Sequence, residues 1–206
     1  MPNKLMLLTG LLLLGLPGEP AMSYEEPPYT VVATDGDFEQ RQYASYLVAE
    51  TVITGARSAN AASGEGFKRL FAYISGANNS KTKVSMTVPV SQGESQKISM
   101  TTPVQQAAAG EGWRVSFTLP AEFTKATAPT PNDNRVYIRE VPGRQMAVLT
   151  FSGRWTEANY VKHEQELAKR VAAAGLTATG PVERAVYNAP FSLPWWRRNE
   201  VMVEVR

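Results

Sequence analysis

The chain has 206 residues, 43% of them hydrophobic, and a formal net charge of only +2. So mild a balance makes no case for nucleic acid or an anionic membrane as partner. There is no cysteine, which excludes disulfides, Cys-ligated metals and iron–sulfur clusters.

Residues 1–23 read as a secretory signal peptide: Lys4, an apolar run from Leu5 to Leu16, the helix-breaking Pro17-Gly18-Glu19-Pro20, then the small-x-small site Ala21-Met22-Ser23. The run is shorter than the ~20 residues a spanning helix needs; an uncleaved anchor is the alternative. Neither a lipidation cysteine nor a twin arginine is present, so plain export to the periplasm or the exterior is expected, with no stable membrane insertion after cleavage. Residues 24–206 suit one domain.

Tyr24 to Tyr29 is a polar, Pro-rich lead-in. Phe38–Tyr43 and Tyr46–Thr54 alternate as strands. In Gly64–Ser75, Phe67, Leu70, Phe71 and Ile74 recur at helical spacing, and Gly76 ends the run. From Lys83 to Val104 the chain says nearly the same thing twice, Val84-Ser85-Met86-Thr87-Val88-Pro89-Val90 and Ile98-Ser99-Met100-Thr101-Thr102-Pro103-Val104. Both copies alternate, and the polar Ser91–Lys97 between them predicts a hairpin. Pro89 and Pro103 cannot donate to a ladder, so each marks an edge, a bulge or a strand end. Trp113–Leu119, Val136–Val141 and Gln145–Ser152 are further strands. Thr156 caps a second helix that runs to about Ala174. Val182–Tyr187 and Glu200–Val205 are the last strands, separated by Pro194-Trp195-Trp196-Arg197-Arg198. That cluster reads as a cover for the sheet, with a ligand lid or a partner surface as alternatives.

A weak self-similarity at an offset of about 98 residues brings strand onto strand and helix onto helix. The order strand, strand, helix, strand, strand occurs twice. The expected fold is therefore antiparallel α+β: two pseudo-twofold halves form a distorted β-barrel with two helices outside.

The doubled Met-Thr-x-Pro-Val at Met86–Val90 and Met100–Val104 resembles the signature of the SOUL haem-binding protein family. Phe67–Asn78, Phe117-Thr118-Leu119-Pro120, Tyr160-Val161-Lys162-His163 and Arg197–Val201 are similar to family segments in the same order. The resemblance implies a non-catalytic carrier or sequestering module that holds haem, or another porphyrin, non-covalently. It places an apolar wall at Phe67, Leu70, Phe71 and Met86, with Lys68, Arg69, Lys81 and Lys83 as cations for the propionates. A flat apolar ring with two carboxylates wants such a wall and such a rim. Basic residues of vertebrate members fall on Gly64 and Ala72 here, and Gln42 stands where one branch of the family has a histidine.

His163 is the sole histidine. It is either an axial iron ligand or a structural side chain packing the second helix. Met86 and Met100 are core filler or sulfur ligands. Lys68 and Arg69 belong to a solvated face or to the propionate rim. No nucleophile elbow or dinucleotide fingerprint occurs, and no catalytic residue is assigned. The halves also resemble bacterial effector-binding domains, so a haem-independent effector-binding or protein-interaction module is the second reading.

Overall fold

The computed structural model describes residues 25–81, 83–85, 87–94, 112–189 and 191–206. The elements are β1 (Tyr29–Asp35), β2 (Phe38–Tyr43), β3 (Tyr46–Thr54), α1 (Ala59–Ile74), β4 (Val90–Glu94), β5 (Gly112–Thr118), β6 (Val136–Val141), β7 (Arg144–Phe151), α2 (Glu157–Ala173), β8 (Glu183–Val186) and β9 (Asn199–Glu204), with a 3-10 turn at Pro194–Trp196. All strands join one sheet in the order β1-β2-β7-β9-β8-β4-β5-β3-β6, every neighbouring pair antiparallel. The fold is α+β, as expected. The sheet, however, is a curled half-barrel rather than a closed barrel: β1 and β6 end it and do not pair with each other.

Both helices lie on the same face of this sheet. Residues directly opposite in an antiparallel ladder point the same way. Phe117 faces Val90, Val90 faces Val186, Val186 faces Asn199, and Asn199 faces Phe151. Phe117 belongs to the core under α1, with Leu47, Ala49, Leu70, Tyr73 and Val115. Phe151 belongs to the core under α2, with Leu149, Tyr160, Leu167, Val201 and Val203. The row that runs across the sheet thus links the two helix footprints, and Val90 and Val186 stand at its middle.

The helices start where their caps place them. Ser58 Oγ accepts from the Ala61 N–H at 3.2 Å, and Thr156 Oγ1 from that of Asn159 at 3.3 Å. Glu157 in the first turn of α2 and Arg170 in its last oppose the helix dipole favourably. Gly66 sets how closely α1 approaches the sheet. A Cβ there would lie 2.6 Å from Val115 Cβ and Cγ2, and Val115 is wholly buried. Gly66→Ala should therefore force α1 off β5 and destabilise the fold by about 1–3 kcal/mol. Helix propensity favours alanine, so an unchanged denaturation midpoint would show that α1 packs elsewhere.

The doubled hairpin is not built as expected. The described residues of 83–89 form no strand, and β4 begins at Val90, so it occupies the polar stretch read as the link. Pro89 offers no N–H to a ladder. Val84 and Val88 are nonetheless buried, and their N–H groups donate to Ile74 O at 2.8 Å and Glu25 O at 3.0 Å. The two valines do not share one apolar face, however: Val84 packs with Leu70 and Phe117, Val88 with Met146 and Tyr187, and Thr87 is buried beside Val88. β4 pairs with β5, Val90 opposite Phe117. The second copy, Ile98–Val104, lies outside the described residues, as do Met86 and the expected signal peptide.

The sheet's other face carries Tyr43, Val88, Met146, Val148, Ala185, Tyr187 and Met202, and two fully buried carboxylates. Glu200 accepts from Arg41 Nη1 and Nη2, both at 3.1 Å, from Tyr187 Oη at 2.6 Å and from Arg198 Nη2 at 2.9 Å. Glu50 accepts from Arg139 Nη2 at 2.6 Å and Tyr137 Oη at 3.0 Å.

Buried phenols make the fold sensitive to alkali. Burial pushes both Tyr73 and Tyr160 up to about 12. An acid whose folded pKa is raised contributes stability that is complete below the unfolded value near 10 and is lost as pH rises through the folded value. Stability should therefore fall between pH ~10 and ~12. Ultraviolet phenolate absorbance and circular dichroism, followed together, should show these tyrosines ionising with unfolding; ionisation that finishes well before it would contradict their burial.

Candidate functional site: a groove between the two helices

Directly over the middle of the sheet the helices leave a groove of about 480 Å³. Its floor is the β4–β8 pair, with Val90 opposite Val186 and Gln92 opposite Arg184. One wall is a stripe of α1: Asn60, Ser63, Gly64, Phe67 and Lys68. Those positions recur at three- and four-residue steps, so they share one helix face, beside the face that Ala62, Gly66 and Leu70 bury. The opposite wall is Trp155 and Tyr160, from the approach and first turn of α2, with Asn188 beyond β8.

Hydrogen bonds fix the frame. Gln92 Nε2 donates to Ala59 O at 2.7 Å, tying the floor to the start of α1. Asn60 Nδ2 donates to Trp155 O at 3.3 Å and links the two walls. Trp155 Nε1 donates to Asn199 Oδ1 at 2.7 Å. Phe67 stands edge-on to Phe117 at 5.3 Å and stacks with Phe71 at 5.7 Å. The cations differ in what they offer. Arg184 donates to Glu157 Oε1 and Oε2 at 2.7 and 2.9 Å and to Glu164 Oε1 at 2.7 Å, with its guanidinium 4.6 Å above the Tyr160 ring. Its charge is already answered. Hydrogen bonding from Arg184 holds the Glu157 carboxyl below its usual range. Lys68 is exposed at the rim and has no ion pair among the described residues.

Of the eight side chains expected around a tetrapyrrole, the structure brings Phe67 and Lys68 to the groove. Leu70 is fully buried beneath α1, in the core. Phe71 is 46% exposed, behind Phe67 and outside the lining. Arg69 turns to Glu65 Oε1 at 3.1 Å and Thr51 Oγ1 at 3.4 Å. Lys81 and Lys83 are exposed in the segment after α1, also outside the lining. Met86 is outside the described residues. His163 stacks on Phe151, centroids 3.9 Å apart, and donates from Nδ1 to Asn159 O at 2.7 Å. It is not among the residues that line the groove.

Trp155, Tyr160, Arg184, Val186, Val90 and Gln92 were missed. Alternation of Arg184 and Val186 and the cap at Thr156 place their elements, but nothing local in the sequence brings β8 beside β4. The tryptophan cluster corrects a further expectation. Trp195 and Trp196 are 65% and 75% exposed, so most of each ring faces solvent instead of the sheet.

A curled antiparallel sheet carrying two helices, with an apolar groove over its central strands, defines a ligand-binding α+β domain. The SOUL heme-binding protein model matches residues 24–204, and the chain belongs to that family. Heme-binding protein 1 of Mus musculus is 28% identical over 183 residues, 87% of this chain and 92% of that protein. Its Xenopus laevis counterpart is 28% identical over 164 residues, 80% of this chain and 81% of that protein. Among solved structures, the EcmrR C-terminal domain is similar with a TM-score of 0.57 at 10% identity, covering 86% of this chain and 98% of that one. A structure described as a hydrolase from Listeria innocua is similar with a TM-score of 0.54 at 14% identity, covering 85% and 94%. Identities so low carry the fold alone.

Proposed function

We propose that the protein binds haem non-covalently in the groove between α1 and α2 and acts as a non-catalytic carrier or store. The observation that carries this reading is the groove itself. It lies within the ~300–1,000 Å³ of small-molecule sites and is walled by Phe67, Val90, Trp155, Tyr160 and Val186. Membership of the family and the two vertebrate relatives named for haem binding support it.

The residues present suit the ring better than the iron. Flat apolar walls match a macrocycle, and Lys68 at the rim matches a propionate. Among the lining residues Tyr160 alone is of a haem-ligand type. Haem arrives here as cargo, bringing its own iron, and the chain supplies apolar enclosure and orientation. Ring burial should dominate the affinity, because an exposed lysine–carboxylate pair contributes only ~0.2–1 kcal/mol. Other porphyrins should bind for the same reason.

We also infer that the two halves are related by a pseudo-twofold axis. Exchanging β2 with β6, β3 with β7, β4 with β8 and β5 with β9 reverses the order β2-β7-β9-β8-β4-β5-β3-β6 onto itself. The same exchange swaps α1 with α2 and puts the axis between β4 and β8, under the groove. The reading further takes residues 1–23 as a signal for export and 24–206 as the single functional domain.

The test is to titrate hemin and protoporphyrin IX side by side. Both should quench tryptophan fluorescence with similar midpoints at micromolar ligand, because Trp155 lines the groove. Absence of quenching by either would count against the site. Binding of hemin alone would mean that iron ligation, rather than ring burial, holds the ligand.

A further inference from the structure

The segment 188–198, between β8 and β9, stands apart from everything above. Phe191 is 90% exposed, Trp196 75%, Trp195 65% and Leu193 43%. The backbone beneath them is firmly held. Gly153 N–H donates to Pro194 O at 2.8 Å, Arg197 Nε to Ser192 O at 3.0 Å, and Arg198 N–H to Asn188 Oδ1 at 2.6 Å. The Arg197 guanidinium lies 4.2 Å from the Trp155 ring centre. Four large apolar side chains are thus presented to solvent on a pinned scaffold.

We propose that this loop docks the protein peripherally on an anionic phospholipid surface. Three observations support that occupant. The first is chemistry: indoles settle at the boundary between headgroups and acyl chains. The second is charge. Asn188–Arg198 and the adjoining Ser152–Trp155 contain no Asp or Glu; Arg198 is answered by Glu26 and Glu200, and the exposed Arg154 and the half-buried Arg197 are the basic side chains beside the patch. Anionic headgroups attract basic residues beside an apolar anchor. The third is size. At ~150–250 Å² per aromatic side chain, the exposed parts of Phe191, Trp195 and Trp196 amount to roughly 350–550 Å². That matches a functional surface patch. Trp155 and Asn188 also line the groove, so docking would bring the groove's mouth to the bilayer. The inference holds whatever the groove binds.

Full-length chain is mixed with vesicles of phosphatidylcholine alone or with phosphatidylglycerol, some carrying brominated acyl chains. Leu12→Asp/Leu13→Asp first removes any contribution from the apolar N-terminal run. In that background the anionic vesicles should still sediment the protein and the brominated chains should quench its tryptophans. Adding Trp195→Ala/Trp196→Ala, or Phe191→Ser alone, should weaken vesicle binding at least about tenfold. Thermal melting and hemin titration should stay unchanged. Equal binding with and without the loop substitutions overturns the proposal, as does equal binding to neutral and anionic vesicles. Loss of hemin affinity with vesicle binding intact would overturn it too, and would make the loop a wall of the groove.

Discussion

Glu200→Ala is expected to destabilise the fold by about 3–5 kcal/mol, a large part of the ~5–15 kcal/mol a domain usually has. The carboxylate is wholly buried on β9, where it holds Arg41, Arg198 and Tyr187 together. Arg41 is 3% exposed, and its remaining carboxylate is Glu39, 29% exposed, with Nε to Oε2 at 2.6 Å. Arg198 still has Glu26, so most of the loss should fall on Arg41. A buried cation left half-answered is costly, whereas an ion pair replaced whole by apolar groups is often tolerated. Arg41→Met should accordingly recover part of the loss in the Glu200→Ala background, although alone it also destabilises. Urea denaturation of the four proteins measures the coupling. Strict additivity would show that the pair does not act as a unit.

The second large effect concerns the groove. Gly64→Trp should weaken hemin binding at least about tenfold, equivalent to ~1.4 kcal/mol or more, without harming the fold. Gly64 sits in the α1 wall between Asn60 and Lys68. A Cβ there meets nothing within 4 Å, so the new side chain enters open space. Tryptophan is a better helix former than glycine, so stability should hold or rise slightly. Lys68→Ala, by contrast, should cost only a few-fold in affinity, because its contribution is made in water. The order of the two effects is diagnostic. A larger loss at Lys68 than at Gly64 would place the ligand at the rim and outside the groove.

Much of this architecture was legible because local periodicity and local burial agree. β2, β3 and β6 match their expected bounds, and the cap residues Thr156 and Ala174 bracket α2. β1 escaped notice because it is an edge strand with Val31 and Val32 exposed, so no core imposes alternation on it. The run Val84–Val90 misled for the opposite reason: Val84 and Val88 are buried as alternate residues of a strand would be, but Thr87 and Pro89 are buried too, and Pro89 and two long-range hydrogen bonds keep the backbone out of the ladder. Glu50 and Glu200 read as surface residues in any one-dimensional pattern; only their arginine partners, from other strands, make burial tolerable. Of the groove, only Phe67 and Lys68 on α1 were legible; the rest of the expected apolar stripe, Leu70 and Ile74, is core. Trp155, Tyr160, Arg184, Val186 and Asn188 come from more than 80 residues later in the chain, and their place beside α1 depends on the β4–β8 pairing that no local motif encodes.

The central claim, a ligand seated over β4 and β8 between the helices, is tested most directly by amide NMR with hemin added in steps. Paramagnetic broadening should begin at Gly64, Lys68, Val90, Val186 and Asn188. The amides around Ala121–Lys125, beside a separate cavity of about 260 Å³, should stay sharp. Broadening that begins near Ala121–Lys125, or around His163 with the floor strands untouched, would contradict the account.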